Sequence, residues 1–487
     1  MNSSRRSTED PAFMAYRSAR IKQWDATARM LAEWKGWGFQ YHKRLHQIYR
    51  YLVSPGQRVI EIGCGAGDLL AAVEPACGVG VDFSPEMLAL ARHHHPENRY
   101  VEADAHELDE IKETFDIIIL SDLLNDLWDV QLVFKQLARL STPRTRLITN
   151  NYSRLWEQPL DLAAKIGLAK PVLFQNWLTV EDISNLLDLA GFQHIRHFPE
   201  VLFPLPIPAL EPFCNRFLVK LWPFNNFALT NFIIARPQPQ ARLTKGGKEP
   251  SVSVIIPARN EAGNIKDAFE RIPVMGSQTE LVFVEGHSKD STYETIQNEI
   301  RSHPQRKSKL FRQTDVGKGD AVRLGFSQAD GDILMILDAD LTMPPEDLPR
   351  YYEVLFSGKG EFVNGVRLVY PMEKQAMRFL NLMGNKFFSN AFSWLLGQSV
   401  KDTLCGTKAL WRSDYERIAA NRSYFGDFDP FGDFDLLFGA ARLNLKIIDL
   451  PIRYRDRTYG STNIQRWKHG LLLLNMVWFA AGRIKFI

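Results

Sequence analysis

The sequence predicts an α/β chain of two domains, and three observations carry that expectation. Runs such as Ile333-Leu334-Met335-Ile336-Leu337 are apolar without alternation, the pattern of a strand buried on both faces of a parallel sheet. Such runs alternate with helical stretches in two separate series. The length, 487 residues, exceeds what one ordinary hydrophobic core organises.

The first series follows a helical segment, 12–52. There Trp24, Leu31, Trp34, Trp37, Tyr41, Leu45 and Tyr49 recur at helical spacing and suit a packing face. Strand-like runs come at 58–62, 78–81, 115–120 and 146–149. Between 236 and 250, proline, glycine and charge replace apolar periodicity, so a linker is expected. The second series has strand runs at 252–256, 281–284, 310–312 and 333–337. The expected division is 1–50 helical, 51–235 first α/β domain, 236–250 linker and 251–487 second α/β domain.

Apolar residues make up 45% of the chain and charged residues 24%, a globular composition. A net charge of +3 argues against a nucleic-acid partner, which demands a strong basic excess. Cys64, Cys77, Cys214 and Cys405 form no close metal-ligand pair and fit free thiols in a reducing cytoplasm. No apolar stretch follows Arg5 and Arg6, so no signal peptide is expected. The run 471–482 contains Asn475 and falls short of the roughly 20 residues that span a bilayer. The expected location is cytoplasmic, with peripheral attachment to the inner face of the cell membrane. Two amphipathic stretches motivate that attachment. In 377–397, Leu380, Met383, Phe387, Phe388, Ala391, Trp394 and Leu395 share an apolar face. In 466–487, Arg466, Lys468, His469, Arg483 and Lys485 flank an apolar run.

In the first domain, Val59-Ile60-Glu61-Ile62 runs into Gly63-Cys64-Gly65-Ala66-Gly67, a strand followed by a glycine turn that opens a helix. Glycine lets backbone approach a ligand closely. Asp82 ends the next strand, about 20 residues on, where an acid bonds ribose hydroxyls. Glu102 to Ala105 and the strand from Phe115 add further strand ends. The Glu-x-Gly-x-Gly-x-Gly spacing with these acids resembles the class I S-adenosylmethionine-dependent methyltransferases over about 40–235. The resemblance implies a Rossmann-like fold with S-adenosylmethionine as cofactor. It implies that Glu61, Gly63, Gly65 and Gly67 shape the methionine pocket and that Asp82 binds the ribose. Phe83 and Met87 would lie beside the adenine, Asp104 and Ala105 at its edge, and Ser121 in the loop after the fourth strand. The methyl acceptor stays open: His42, His93, His94, His95 and His106 are available bases, and a non-catalytic binding module is the alternative.

In the second domain the run 333–337 ends in Asp338-Ala339-Asp340. Two acids spaced one apart beyond a strand can hold a divalent cation, and the cation a diphosphate. Pro257, Ala258, Arg259 and Glu261 follow another strand, and Glu285 a third. Gly317-Lys318-Gly319 opens a helix, where phosphate is welcome. This order resembles the inverting family 2 glycosyltransferases of the GT-A fold, most closely the dolichyl-phosphate mannose synthase type, over about 250–470. The resemblance implies a nucleoside diphosphate sugar donor, with Pro257, Ala258, Arg259, Glu261, Glu285, Lys318, Asp338, Ala339, Asp340 and Arg457 around it. It implies Mg2+ or Mn2+ at Asp338 and Asp340, and a polyprenyl phosphate acceptor. Lys401 to Lys408 matches an Asp-x-x-x-Gly signature, and 453–463 a diphosphate-closing loop in which Asn463 replaces lysine. Glu285-Gly286-His287-Ser288 replaces the usual Asp-Asp-Gly-Ser, and Thr342 stands where the subgroup often has Gln. Asp340, Arg367 and Asp435 are the expected catalytic residues. The rival is a hydroxyl acceptor with Asp435 or Asp433 as general base.

Overall fold

The computed structural model describes residues 10–31, 38–165, 173–244, 246–367, 369–370, 379–424, 434–455, 457, 459 and 466–487. Contacts divide the chain into two compact units, one reaching to Gln238 and including Phe486–Ile487, the other Pro239–Lys485.

Unit one opens with helices Pro11–Leu31 and Gly38–Leu52. Its strands are β1 Arg58–Ile62, β2 Cys77–Asp82, β3 Arg99–Glu102, β4 Phe115–Ser121, β5 Ser141–Tyr152, β6 Phe192–Glu200 and β7 Thr230–Pro237. The sheet order is β3-β2-β1-β4-β5-β7-β6. β1 is flanked by parallel β2 and β4, so the order reverses between β1 and β4 and leaves a crevice at their carboxyl ends. The apolar runs explain the central strands: Ile60, Ile62, Val79, Val81, Ile118 and Leu120 are all buried in one core.

In unit two the strands are β8 Val252–Ala258, β9 Thr279–Glu285, β10 Ser308–Arg312, β11 Ile333–Ile336, β12 Phe362–Val366, β13 Lys408–Trp411 and β14 Ile447–Pro451. Their order is β10-β9-β8-β11-β13-β12-β14. β8 lies between parallel β9 and β11, which sets a second crevice beyond β8 and β11. The core beneath it holds Val254, Ile256, Phe283, Met335 and Leu337.

Several expectations need correction. Neither sheet is purely parallel: β7 runs antiparallel to β5 and β6, and β13 antiparallel to β11 and β12. β6, β7 and β13 carry buried polar residues, such as Arg196, Glu200, Arg236 and Lys408, which break the apolar-run signal. The stretch expected as a linker is partly structured. β7 takes Arg236 and Pro237. Arg242 packs over the Trp411 ring at 4.1 Å and donates its N–H to the Phe356 carbonyl at 2.8 Å. Residues 377–397 contain the helix Phe379–Leu396, and Phe388, Phe392 and Leu395 point into the core, with Phe387 exposed. That helix is therefore mainly a packing element, because its apolar face already has protein partners. Residues 377 and 378, Asp433 and Asn463 lie outside the described residues, as do the side chains of Leu380 and Met383. Among the described residues no helix is long and apolar enough to cross a membrane.

Candidate active sites

The first crevice is built from glycine backbone and buried acid. Gly63, Gly65 and Gly67 have φ of 73°, 51° and 79°. These left-handed values strain any side chain. At Gly63 a Cβ would collide with Leu123, and at Gly67 with Tyr100, whereas at Gly65 it would face open space. Gly65 therefore presents bare backbone to the crevice. Its N–H donates to Asp82 Oδ2 at 2.9 Å, and Ser84 N–H donates to Asp82 Oδ1 at 2.9 Å. Burial pushes the Asp82 carboxyl above its ordinary value against those bonds. Glu61 is buried, and its Oε2 has no hydrogen-bond partner among the described residues. Burial pushes its pKa well up. A buried carboxylate oxygen without a donor costs about 1–3 kcal/mol, so its survival points to a ligand that supplies one.

The remaining expected residues are distributed less simply. Phe83 is half-buried, whereas Met87 packs into the core from the helix Pro85–His94. Asp104 Oδ1 accepts from His106 Nδ1 at 2.6 Å, and Oδ2 pairs with Arg17 at 3.2 Å. Burial would raise Asp104, but His106 outweighs it and holds the carboxyl low. Ala105 is buried. Ser121 donates to Asn150 Oδ1 at 3.0 Å.

Asp122, the next residue, was not singled out by any motif. It sits at the end of β4 with φ 51°. Its Oδ1 accepts from Tyr41 at 2.8 Å and Asn150 at 2.5 Å. Burial pushes its pKa up to about 7, against those two bonds. A strained, titratable acid at the crevice is a functional candidate. The helix Pro11–Leu31 contributes more than the packing expected of it. Its Asp25 Oδ1 accepts from Ser84 at 2.5 Å, and Arg20 pairs with Asp126 at 3.7 Å.

The second crevice is ionic. Lys318, at the start of the helix Lys318–Gln328, pairs with Asp338 at 2.5 Å. Burial would raise Asp338, yet Lys318, with Lys408 and Arg367 behind it, holds its carboxyl below the ordinary range. Arg457 bridges Asp340 at 2.5 Å and Glu261 at 3.3 Å. Asp340 Oδ1 also accepts from the Thr342 hydroxyl at 2.9 Å. Burial lifts Glu261 to about 7 although Arg457 pulls it down. Ala258, Glu285 and Ala339 are buried, Pro257 is half-buried and Arg259 is exposed. Glu285 Oε1 accepts from Ser288 N–H at 2.5 Å. The loops after β8, β9 and β11 each hold a non-glycine residue at positive φ: Asn260 at 57°, His287 at 57° and Leu341 at 51°. Strain in three strand-end loops around one crevice fits a binding site.

The Asp402-x-x-x-Gly406 signature has a physical reading here. Asp402 is buried and accepts from Arg367 Nε at 2.7 Å and Nη2 at 2.9 Å. Arg367 thus spends its fork on Asp402, which leaves it without the two parallel donors a phosphate needs. Arg367, expected to act in catalysis, has its fork engaged by Asp402 in this structure. Any Cβ at Gly406 would strike both Lys318 Nζ and Asp338. Asp435 pairs with Arg422 at 2.8 Å.

Among the described residues no group of three or more His, Cys, Asp or Glu could hold a metal. The pair Asp338 and Asp340 still suits a cation such as Mg2+, which binds through one or two carboxylates and takes its other oxygens from phosphates and water.

The chain folds into two α/β units, each with a crevice at its strand-reversal point. Residues 53–190 match the family described as Methyltransferase domain, and residues 253–418 match Glycosyl transferase family 2. The chain carries a methyltransferase domain and a family 2 glycosyltransferase domain. It is 39% identical over 221 residues to a dolichol-phosphate mannosyltransferase of Pyrococcus furiosus, covering 44% of this chain and 59% of that one. It is 26% identical over 232 residues to an undecaprenyl-phosphate 4-deoxy-4-formamido-L-arabinose transferase of Edwardsiella ictaluri, covering 47% of this chain and 66% of that one. The chain thus spans less than two thirds of the length of either relative. An S-adenosylmethionine-dependent methyltransferase from Mesorhizobium loti matches in structure with TM-score 0.31 and 21% identity, covering 39% of this chain and 96% of that one.

Proposed function

We propose that the chain is a bifunctional transferase that moves a sugar from a nucleoside diphosphate to a lipid phosphate and a methyl group from S-adenosylmethionine to a second acceptor. One observation carries the first half: Lys318 and Arg457 stand at the strand-end acids Asp338 and Asp340, where a diphosphate would replace the acids as their partner. In the reaction a phosphate oxygen of the acceptor attacks the anomeric carbon opposite the leaving group. The bond from that carbon to the diphosphate oxygen breaks, and the configuration inverts. Arg457 releases Asp340 and takes the diphosphate through two parallel hydrogen bonds. Lys318 adds charge at the helix start. Mg2+ or Mn2+ bound at Asp338 and Asp340 would offset charge on the leaving diphosphate. Pro257, Ala258, Arg259, Glu261 and Glu285 line the nucleoside side. An acceptor phosphate is already anionic and needs no base, which agrees with Asp435 being held by Arg422. The names of the relatives, dolichol-phosphate and undecaprenyl-phosphate transferases, support a lipid phosphate and work at a membrane surface.

In the methyltransferase domain the unpartnered Oε2 of Glu61 fits the cofactor's amino group, and Gly65 leaves room for its chain. Asp82 meets the ribose. The test is a nucleotide-sugar panel offered with polyprenyl phosphate and with soluble sugars. Turnover on the lipid phosphate with little loss in Asp435→Asn supports the reading. Turnover on a soluble hydroxyl with a loss of about 10²–10⁴-fold in Asp435→Asn would replace it with the general-base mechanism.

A further inference from the structure

β6 and β7 are antiparallel neighbours, yet the chain between them makes a long excursion, 201–229. Hairpin connections usually take 2–5 residues, whereas this one carries the helix Leu210–Arg216 and the short turns Leu218–Lys220 and Phe224–Phe227. The excursion buries Val201, Val219 and Leu229 together with charged groups and leaves large apolar side chains outside. Its charged anchors face inward: Glu200 is fully buried, pairs with Arg44 at 3.2 Å and holds buried Lys220. Asn215, also buried, accepts from the Leu202 and Phe203 N–H groups at 2.8 Å each. The outward side is apolar. Leu205, Ile207, Phe213, Trp222, Phe224 and Phe227 are exposed, Trp222 by 81%. The outward charge beside them is cationic, Arg216, while Glu211 is tied to Asn215 at 2.8 Å. An element with salt bridges inside and aromatic residues outside is built for an apolar exterior.

We infer that the 201–229 excursion is a bilayer-docking element of the methyltransferase domain. Trp, Phe and Leu with a cation suit the headgroup boundary of an anionic membrane. The terminal helix Arg466–Ala480 of unit two shows the same pattern independently: Leu471, Leu474 and Trp478 are exposed on one stripe, and Leu473 and Met476 are buried. A bilayer accepts such a surface with no requirement for complementary shape, as a folded protein partner would impose. The consequence, which rests on the methyltransferase reading, is that the methyl acceptor is itself carried in or on the membrane.

The test uses the full chain and vesicles of phosphatidylethanolamine with phosphatidylglycerol, read by flotation. Phe213→Ser, Trp222→Ser and Phe227→Ser together should lower vesicle partition by about tenfold or more. The apolar replacements Phe213→Leu, Trp222→Phe and Phe227→Leu should restore it. Trp222→Ser alone changes a side chain with little packing to lose and should lower partition severalfold. S-adenosylmethionine binding, read by calorimetry without vesicles, should be unchanged in that variant, so failure of the methyltransferase reading shows separately. Wild-type partition in the triple serine variant overturns the inference, as does absence of any partition by the wild type. Loss of a dimer in light scattering with unchanged partition would mean that a second copy covers the patch and would also overturn it.

Discussion

At the ends of β1, β2 and β4 the acids Glu61, Asp82 and Asp122 have no basic partner among the described residues, whereas beyond β11 Asp338 meets Lys318 and Asp340 meets Arg457. The strand topology at the two crevices is the same. Burial pushes the first set of carboxyls up, and nearby cations hold Asp338 down. The difference teaches which ligand charge each crevice awaits. Unpaired buried acids gain from a ligand that brings ammonium and sulfonium charge. Where the acids are already paired, their Lys and Arg partners can be transferred to an incoming diphosphate, which frees Asp338 and Asp340 for the cation that accompanies it.

The largest expected effect is in the paired crevice. Asp340→Asn should cut sugar transfer by about 10²-fold or more with the fold intact, because asparagine cannot hold the cation that offsets leaving-group charge. Excess chelator should do the same to the wild type. Full activity in chelator would remove the cation from the account. Next in size is Glu61→Gln. Replacing the unpartnered carboxylate should cost about 1.5–3 kcal/mol of S-adenosylmethionine binding, roughly 10–100-fold in Kd by calorimetry. An unchanged Kd would detach the orphan acid from the cofactor.

Arg457→Lys tests whether the bridging cation works as a fork. Lysine keeps the charge but not the two parallel donors, so donor KM should rise roughly tenfold with a smaller change in kcat. A loss in kcat with KM unchanged would place Arg457 in the reaction step alone. The smallest effect is on stability. The folded pKa of Asp122 is raised to about 7 from 3.8. Its contribution to stability is therefore present at low pH and fades as pH rises from about 4 through 7. Asp122→Asn removes the buried charge, and asparagine tolerates positive φ. The variant should raise the thermal midpoint by a few degrees at pH 8 and by less at pH 5. A uniform shift across that range would exclude the carboxyl as its source.

Much of this was legible in the sequence because local chemistry and position coincide at strand ends. The run 333–337 located Asp338 and Asp340, and the glycine spacing located Gly63, Gly65 and Gly67 with their positive φ. What long-range pairing decides was not legible. That Asp402 engages the fork of Arg367, expected as a catalytic residue, is decided 35 positions along the chain. Nothing local marks Lys408 as buried, yet it is, and it donates to Asn364 Oδ1 at 3.1 Å. Asp122 carries no motif, and its character comes from Tyr41 and Asn150, far along the chain. The proline- and phenylalanine-rich stretch 201–229 has neither helical nor strand periodicity, so its outward apolar side became visible only with the fold.

The most direct test of the central claim is calorimetry on the full chain with S-adenosylmethionine and, separately, with a nucleoside diphosphate plus Mg2+. One site per chain is expected for each ligand, with Glu61→Gln weakening only the first and Arg457→Ala only the second. Absence of S-adenosylmethionine binding at millimolar concentration, or one substitution abolishing both, would contradict two independent transferase sites.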